Sequence, residues 1–252
     1  MDRLKDKVAI ITGSTGGIGV GIARLYAAEG AQVIVCGRRA EKGQAVVDAI
    51  TGEGGKASFH AMDITVPSSI EKLVEDTVNT FGRIDVLVNN AANVGLKDGR
   101  MDEVTLEMWD DIFASDIRGP FYVTKCVLPH MRKNPQGGSI VNIGSMAACG
   151  GDLGATAYAC AKAGVDALTK SVALQYGKDN IRCNCVRPGL IVTPDNEARI
   201  PQVLKDIFLS NIMVNRYGCP EDIGHACVYF GSDESAYVSG QVITVDGGLN
   251  SH

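Results

Sequence analysis

The sequence predicts one doubly wound α/β domain, in which helices cover both faces of a seven-stranded parallel sheet. Short runs rich in β-branched residues alternate with longer helical patterns along the chain, which is the order that builds βαβ units. Most of these runs are apolar throughout rather than at every second residue, as strands buried on both faces are. No linker or shift in composition divides the 252 residues, so residues 1–252 are expected to form a single domain.

The predicted elements follow one another in a regular order. Strands are predicted at KVAIIT, QVIVC, ASFHAMDI, DVLVNN, SIVNIGS, IRCNCVRPG and VITVD. Helices are predicted over 17–29, 40–50, 68–81, 106–131 and 155–176. Residues 194–217 interrupt the alternation with a short amphipathic pattern, and a substrate lid is expected there.

The charge balance and the cysteines exclude several kinds of site. The net charge is −5, without any block of like charges, so neither nucleic acid nor an anionic membrane is an expected partner. The first apolar run is too short for a signal peptide or a membrane span, which predicts a cytoplasmic protein. The eight cysteines are scattered, and no histidine accompanies the close pair Cys183 and Cys185. No metal site is predicted, and the thiols are expected to be buried or partly buried.

A glycine-rich loop, TGSTGGIG at residues 12–19, joins the first predicted strand to the first helix. Gly13, Gly17 and Gly19 would let the backbone turn tightly and approach a pyrophosphate, whose charge is favoured at a helix N-terminus. The TGxxxGxG spacing differs from the common GxGxxG fingerprint, and an ordinary flexible loop is the alternative. The flanking strand and helix favour dinucleotide binding.

The end of the second predicted strand indicates which dinucleotide is bound. A carboxylate usually binds the ribose 2′-hydroxyl at this point, but Gly37 stands here and is followed by Arg38 and Arg39. A guanidinium can pair with a 2′-phosphate that a carboxylate would repel. NADP(H) is therefore favoured over NAD(H), and a solvated turn with two incidental arginines is the alternative.

Two more predicted strands end in residues that suit a cofactor crevice, because open α/β sheets bind ligands at the carboxyl ends of their strands. Asp63, followed by Ile64, could accept a hydrogen bond from an adenine amino group. Asn89, Asn90 and Ala91 end the fourth strand beside the crevice. Each of these indications is weak by itself.

Ser145, Tyr158 and Lys162 form the candidate catalytic group. Tyr158 and Lys162 are four residues apart in YACAK and so share one helix face, and Ser145 ends the fifth predicted strand. The ordinary tyrosine pKa is about 10, so acid–base work near neutral pH needs a neighbouring positive charge that favours the phenolate. Ser145 could hold a substrate oxygen near the tyrosine hydroxyl. The alternative is a tyrosine and a lysine that merely pack on a helix surface.

The motifs TGSTGGIG, NNAA, YACAK with Ser145, RPGLIVT and VDGG resemble, in order and spacing, those of the short-chain dehydrogenase/reductase family over nearly the whole chain. The resemblance implies a Rossmann fold and a nicotinamide cofactor. It assigns Ser145 to polarising the substrate, Tyr158 to acid–base catalysis, and Lys162 to activating the tyrosine and binding the ribose. The further cofactor-binding residues that it implies are Ser14, Thr15, Ile18, Pro188, Gly189, Ile191 and Thr193, with Thr193 bonding the carboxamide.

Two positions depart from the family pattern. Ala92 replaces a glycine in NNAA, which is a small steric change. Asp116, in FASDIRGPF, replaces an asparagine that in the family completes a Ser-Tyr-Lys tetrad and holds a water on the proton path. A carboxylate can accept from that water, but it cannot donate as an amide does, and it adds a negative charge. Asp116 is therefore a fourth catalytic candidate.

These features predict an NADP(H)-dependent oxidoreductase that interconverts a secondary alcohol and a ketone. The largely apolar lid favours an apolar substrate, such as a hydroxysteroid of bile-acid type, although packing of that face on the protein's own core would explain it equally well. A 3-oxoacyl carrier-protein reductase is one alternative, and a dinucleotide-binding regulatory protein without turnover is another. The resemblance implies a homotetramer, with the helices near 106–131 and 155–177 and the VDGG region at its interfaces.

Overall fold

A parallel sheet forms the centre of the structure, a computed structural model that describes residues 2–93 and 97–251. The strands are Val8–Thr12 (β1), Gln32–Gly37 (β2), Lys56–Ala61 (β3), Val86–Asn89 (β4), Gly138–Ile143 (β5), Ile181–Pro188 (β6) and Val242–Val245 (β7). They pair in the order β3-β2-β1-β4-β5-β6-β7, and every pairing is parallel. The order reverses between β1 and β4, which places a ligand crevice at the carboxyl ends of those two strands. The predicted fold class is confirmed.

Helices connect the strands, and their ends lie within two residues of the predicted ones wherever a predicted helix is continuous. They are Gly17–Ala28 (α1), Ala40–Gly52 (α2), Pro67–Phe81 (α3), Leu106–Phe113 (α4), Gly119–Met131 (α5), Ala147–Gly150 (α6), Thr156–Tyr176 (α7), Gln202–Asn211 (α8) and Pro220–Gly231 (α9). The predicted helix 106–131 is divided, because Ala114–Arg118 forms a π-helical turn between α4 and α5. Among the described ranges, no helix is long and apolar enough to cross a lipid bilayer.

Two apolar layers bury the opposite faces of the sheet. On one face, Ile11 of β1 belongs to the same buried cluster as Tyr26 of α1 and Phe230 of α9. On the other face, Ile10 clusters with side chains of α3, α5 and α7, among them Leu73. Successive strand residues point to opposite faces, so the continuous apolar run of β1 serves both layers. Each such fully buried side chain contributes about 1.5–3 kcal/mol relative to exposure.

Five predicted strands run past the carboxyl ends of the strands in the structure, three of them at Asp63, Asn90 and Ser145. β3 ends at Ala61, which pairs with the last residue of β2, and β5 ends at Ile143. Asp63 and Ser145 lie in the loops that follow these strand ends. Asn90 likewise follows β4 rather than ending it. All three loops remain at the carboxyl edge of the sheet, where the site was predicted.

A buried polar ladder connects the middle of the sheet to two helices. The side-chain amide of Asn89 donates to Thr124 Oγ1 at 3.0 Å and to Asn142 Oδ1 at 2.8 Å, and Asn142 in turn donates to Thr169 Oγ1 at 2.8 Å. Asn89 and Asn142 are also direct partners in the β4–β5 register. A shift of that register would leave buried amides without hydrogen bonds. The ladder therefore fixes the relative positions of the loops that follow β4 and β5.

The cysteines confirm the predicted burial in six of eight positions. Cys36, Cys183, Cys185 and Cys227 are buried, and Cys126 and Cys219 are partly buried. Cys149 and Cys160 are exposed, because α6 and the outer face of α7 lie at the surface. The expectation is wrong for these two.

Candidate active site

The glycine loop makes a tight turn that leaves open space in front of α1. Gly13 and Gly17 have φ angles of +67° and +54°, in the region that favours glycine. A β-carbon on Gly19 would lie 2.6 Å from Gly13 O, so a side chain there does not fit. A β-carbon on Gly17 would have no described atom within 4 Å. The loop is thus closed behind and open in front, as a phosphate cradle must be.

Polar side chains from neighbouring elements hold this loop in place. The Asn90 amide donates to Thr12 O at 2.9 Å and to Gly13 O at 3.2 Å, and Thr12 Oγ1 accepts from Ala91 N at 3.0 Å. The buried Ser14 hydroxyl donates to Ile11 O at 2.6 Å. The side chains of Asn90 and Ser14, both predicted to bind the cofactor, are therefore bonded to the protein backbone and shape the loop.

The end of β2 brings two arginines to the same loop. A β-carbon on Gly37 would lie 2.8 Å from Thr15 Cγ2, so the position that usually carries the ribose-binding acid is filled by Thr15. Arg38 and Arg39 are both exposed, and Arg39 Nη2 lies 3.1 Å from the point where a β-carbon on Gly16 would be. This end of the crevice is cationic and holds no acid in the usual place.

Asp63 lies at the outer side of the crevice, two residues beyond β3. Its Oδ1 accepts from the backbone N–H of Thr65 at 2.9 Å and from the Thr65 hydroxyl at 2.8 Å. Burial raises the pKa of Asp63, but these hydrogen bonds and the charge of Arg38 outweigh it and leave the pKa below its ordinary value. Asp63 is thus an ionised acceptor, and Ile64 beside it is partly buried.

An anionic group already contacts the glycine loop. The backbone N–H of Gly17 donates to Asp195 Oδ2 at 3.2 Å, and Asp195 Oδ1 lies 3.6 Å from Lys42 Nζ. A carboxylate therefore stands where the α1 N-terminus and a lysine favour negative charge. Such surroundings fit the pyrophosphate of a dinucleotide.

The candidate catalytic side chains meet between β5 and α7. Lys162 is almost fully buried, and its Nζ donates to Ile143 O at 3.1 Å, two residues before Ser145. The same Nζ lies 5.5 Å from the centre of the Tyr158 ring. Ser145 Oγ accepts from Ala147 N at 3.2 Å, and both Ser145 and Tyr158 are partly exposed. The structure therefore gathers these side chains at one place, with Lys162 on the inner side and the serine and tyrosine toward solvent.

Asp116 lies in the π-helical turn and reaches the same lysine. Its Oδ1 accepts from Asn93 N at 2.6 Å and from Ser115 Oγ at 2.5 Å. Its Oδ2 is buried, has no hydrogen bond from any described residue, and lies 3.7 Å from Lys162 Nζ. Burial raises the pKa of Asp116 above its ordinary value, although the charge of Lys162 opposes the rise. π-helical turns occur frequently at functional sites, and this one directs a carboxylate inward.

Asp98 positions the helix that carries Tyr158, and the sequence gave no signal for it. Its Oδ2 accepts from Tyr158 N at 2.8 Å and its Oδ1 from Ala157 N at 3.2 Å, so it caps the N-terminus of α7. A capping residue normally directly precedes its helix, whereas Asp98 is distant in sequence. Only the folded chain brings the two together.

The segment after β6 forms one wall of the crevice. Pro188 ends β6, and Gly189 N donates to Val245 O at 3.0 Å. Thr193 is buried, and its backbone N–H donates to Asn196 Oδ1 at 2.8 Å. Asn196 Nδ2 also donates to Ile191 O at 2.9 Å, so this asparagine holds the predicted nicotinamide-side segment. Asparagine side chains in loops often hydrogen-bond the nearby backbone, so the sequence alone could have indicated this role for Asn196.

Helix α8, in the segment where a lid is predicted, exposes Val203, Leu204 and Ile207. None of its residues is fully buried, and Val203 and Ile207 are 69% and 52% exposed. Met213, just after the helix, is 62% exposed. Phe208 and Leu209 of the same helix are partly buried and Ile212 is buried, so part of this apolar segment packs on the protein and part faces outward. The segment fits both the predicted lid and the alternative that it packs on the protein's own core.

A doubly wound sheet, a glycine loop at its switch point and a buried lysine beside a tyrosine define the class of a dinucleotide-dependent oxidoreductase. The chain matches, over residues 13–250, a family model described as enoyl-(acyl carrier protein) reductase. A 3-oxoacyl-[acyl-carrier-protein] reductase of Thermotoga maritima is 40% identical, over 98% of this chain and 99% of its own. A 7alpha-hydroxysteroid dehydrogenase of Clostridium sardiniense is 38% identical, over 99% of this chain and 95% of its own.

A solved structure, a short-chain type dehydrogenase/reductase from Mycobacterium ulcerans, is similar with a TM-score of 0.91 and 30% identity, covering 97% of this chain and 90% of that one. The chain belongs to the short-chain dehydrogenase/reductase family. It is accordingly an oxidoreductase of a family that uses nicotinamide dinucleotides.

Proposed function

We propose that the protein interconverts a secondary alcohol and a ketone with NADP(H), using Tyr158 as the acid–base group. The observation that carries this proposal is the buried Lys162 ammonium 5.5 Å from the Tyr158 ring. A positive charge beside a tyrosine is the arrangement that acid–base work near neutral pH requires, and a tyrosine on an ordinary helix surface lacks it. Because the lysine is buried, solvent screens the interaction little.

The three side chains have different roles in this proposal. Ser145 Oγ accepts from Ala147 N, so its own hydrogen remains to donate to the substrate oxygen. Tyr158 gives a proton to that oxygen during reduction and takes one during oxidation. Lys162, anchored on Ile143 O, supports the tyrosine in acid–base exchange and would bind the ribose. The glycine loop and the segment from Pro188 to Thr193 would hold the nicotinamide dinucleotide, which would supply or take up the hydride.

Asp116 completes the group in this proposal. Its buried Oδ2 lies 3.7 Å from Lys162 Nζ, and no described residue hydrogen-bonds it. An ionised Asp116 would pair with Lys162 and would accept a hydrogen bond from a water that reaches its Oδ2.

The preference for NADP(H) rests on the arginines at the end of β2 and on Thr15. Thr15 fills the place of the usual acid at Gly37, so no carboxylate repels a 2′-phosphate there. Arg39 lies over the glycine loop, and Arg38 faces the crevice side on which Asp63 stands. Two guanidinium groups at this end suit a phosphate better than a hydroxyl.

The proposed substrate is apolar and small enough to bind without a carrier protein, and a hydroxysteroid fits this description. The exposed apolar side chains of α8 supply a surface for it. A hydroxysteroid dehydrogenase among the relatives supports this choice. The second candidate substrate is a 3-oxoacyl thioester, which the reductases among the relatives support. An acidic carrier would need basic residues near the lid, but Arg216 there is already paired with Asp222 through two hydrogen bonds.

We also propose the cytoplasmic location and the homotetramer that the sequence predicts. Light scattering coupled to gel filtration measures the number of subunits. A monomer would contradict the proposed homotetramer but would not bear on the proposed reaction.

The test is Tyr158→Phe with Tyr176→Phe as its control. Tyr176 is the last residue of the same helix, about 27 Å along its axis from Tyr158. Tyr158→Phe is expected to lower kcat by about 10²–10⁴-fold, because it removes the acid–base group, while NADPH binding persists. Activity is measured on hydroxysteroid, 3-oxoacyl-thioester and small-ketone panels with both cofactors. Binding of NADPH without turnover of any substrate would instead favour a regulatory protein.

A further inference from the structure

Asp195, in the loop that leads to the lid helix, reaches across the crevice to the glycine loop. Its Oδ2 accepts from Gly17 N at 3.2 Å and lies 2.7 Å from the point where a β-carbon on Gly16 would be. Its Oδ1 lies 3.6 Å from Lys42 Nζ. Arg39 Nη2 lies 3.1 Å from the same point on Gly16. One carboxylate therefore stands among three groups that attract anions: a helix N-terminus, a lysine and an arginine.

These surroundings are those that a cofactor phosphate needs. The first turn of α1 carries no acidic residue of its own, so its free N–H groups and positive end are satisfied from outside the helix. A phosphate and a carboxylate cannot share such a place, because both would be negative and each needs the same N–H group. Asp195 and a bound dinucleotide are thus alternatives at Gly17.

We propose that Asp195 occupies the pyrophosphate position in the cofactor-free protein and must be displaced when the cofactor binds. This inference rests on the cofactor site of the proposed function. It adds Asp195 as a residue that lowers the affinity of that site for the dinucleotide. Thr193 is buried and its backbone N–H donates to Asn196 Oδ1, while Asn196 Nδ2 donates to Ile191 O, so the backbone on both sides of Asp195 is held. The displacement is therefore a rotation of the Asp195 side chain away from Gly17.

The experiment compares Asp195→Asn with Glu197→Gln, a neighbouring exposed carboxylate in the same loop. The dissociation constants of NADPH and of NADH are measured by calorimetry at low and high salt. Asp195→Asn is expected to bind both cofactors about three- to fivefold more tightly, since both carry the pyrophosphate and the competing charge is gone. Glu197→Gln is expected to change neither constant by more than about twofold. The gain should shrink at high salt, because exposed charges are screened.

Unchanged or weaker binding of both cofactors to Asp195→Asn overturns the inference, and so does a gain that salt does not reduce, which indicates loosened structure rather than lost charge. A gain limited to NADPH overturns the assignment to the pyrophosphate position. If the wild-type protein binds neither cofactor, the proposed function itself fails. The two failures are therefore distinguishable in one set of titrations.

Discussion

Lys162 and Asp116 form an ion pair almost completely removed from solvent, with Nζ 3.7 Å from Oδ2 and side-chain exposures of 3% and 0%. Removing two charges from water is costly, and a pair of this kind is weak evidence for stability. Its value lies in the charge it places behind the tyrosine. Since Lys162 Nζ also lies 5.5 Å from the centre of the Tyr158 ring, a change in the charge of Asp116 acts near the tyrosine as well.

Asp116→Asn is expected to move the pH–activity profile to lower pH by up to about one unit. Removal of a negative charge makes each neighbouring proton easier to lose, so alcohol oxidation extends to lower pH and ketone reduction declines at lower pH. Burial raises the pKa of Asp116, so the wild-type carboxyl is neutral at acid pH and charged only above that raised value. The difference between wild type and variant should therefore grow as pH rises. It is measured as kcat/KM against pH in both directions.

Asp110→Asn is the control for this shift, because Asp110 is an exposed carboxylate on α4, the helix that precedes the π-helical turn. It should leave the profile in place. Superimposable profiles of wild type and Asp116→Asn would mean that Asp116 is neutral over the working range and carries no charge effect.

Arg39→Ala is expected to weaken NADPH binding about tenfold and NADH binding by less, since both cofactors carry the pyrophosphate but only NADPH carries the 2′-phosphate. Arg38→Asp should shift the preference further, because it adds a repelling charge. Arg100→Ala removes a guanidinium at an exposed, distant position and serves as the control. The readout is the ratio of the two dissociation constants. An unchanged ratio in both variants would remove the argument for NADP(H).

Gly37→Asp is expected to destabilise the fold rather than to create an NADH enzyme. The new β-carbon would lie 2.8 Å from Thr15 Cγ2, and overpacking of this kind costs about 1–3 kcal/mol of unfolding free energy. Thr15→Ala in the same chain should recover much of the loss and allow the new acid to bind the ribose. Gly52→Asp is the control, because a β-carbon there meets nothing within 4 Å. Urea titration measures the stability, and equal losses at both glycines would contradict the steric argument.

Asp98→Ala is expected to lower unfolding free energy by about 1 kcal/mol and to lower kcat while the affinity for NADPH stays constant. The cap it removes holds the first turn of α7, which carries Tyr158. Asp98→Asn keeps one acceptor oxygen and should recover part of both losses. Asp102→Ala, at an exposed neighbouring position, is the control. If kcat stays at the wild-type value although stability falls, Asp98 is only a structural cap.

The sequence predicts the layers and the site edge well because both depend on local patterns. Apolar runs and the glycine loop can be recognised from residues that are close together in the sequence. Because the predicted strands are parallel, their carboxyl ends lie at one edge of the sheet. Asp98, Asp195 and Lys42 were missed because each meets its partner only after the chain has folded, across long separations in sequence. The exposed side chains of α8 could not be predicted either, because an amphipathic pattern shows which side chains share a helix face but not what covers that face.

The π-helical turn Ala114–Arg118 has a consequence for how this part of the chain can change over evolution. A π turn holds more residues than the α turn it replaces, so it amounts to an insertion within an otherwise continuous helix. The helix before it packs Ile112 with Ala157 and Ala161 of α7, while the helix after it faces the sheet. The added residue lets each half keep its own phase, so the two faces can drift in sequence independently. Loss of a single residue here would restore a regular helix and would remove the inward carboxylate together with its hydrogen bond from Asn93 N and its ion pair with Lys162.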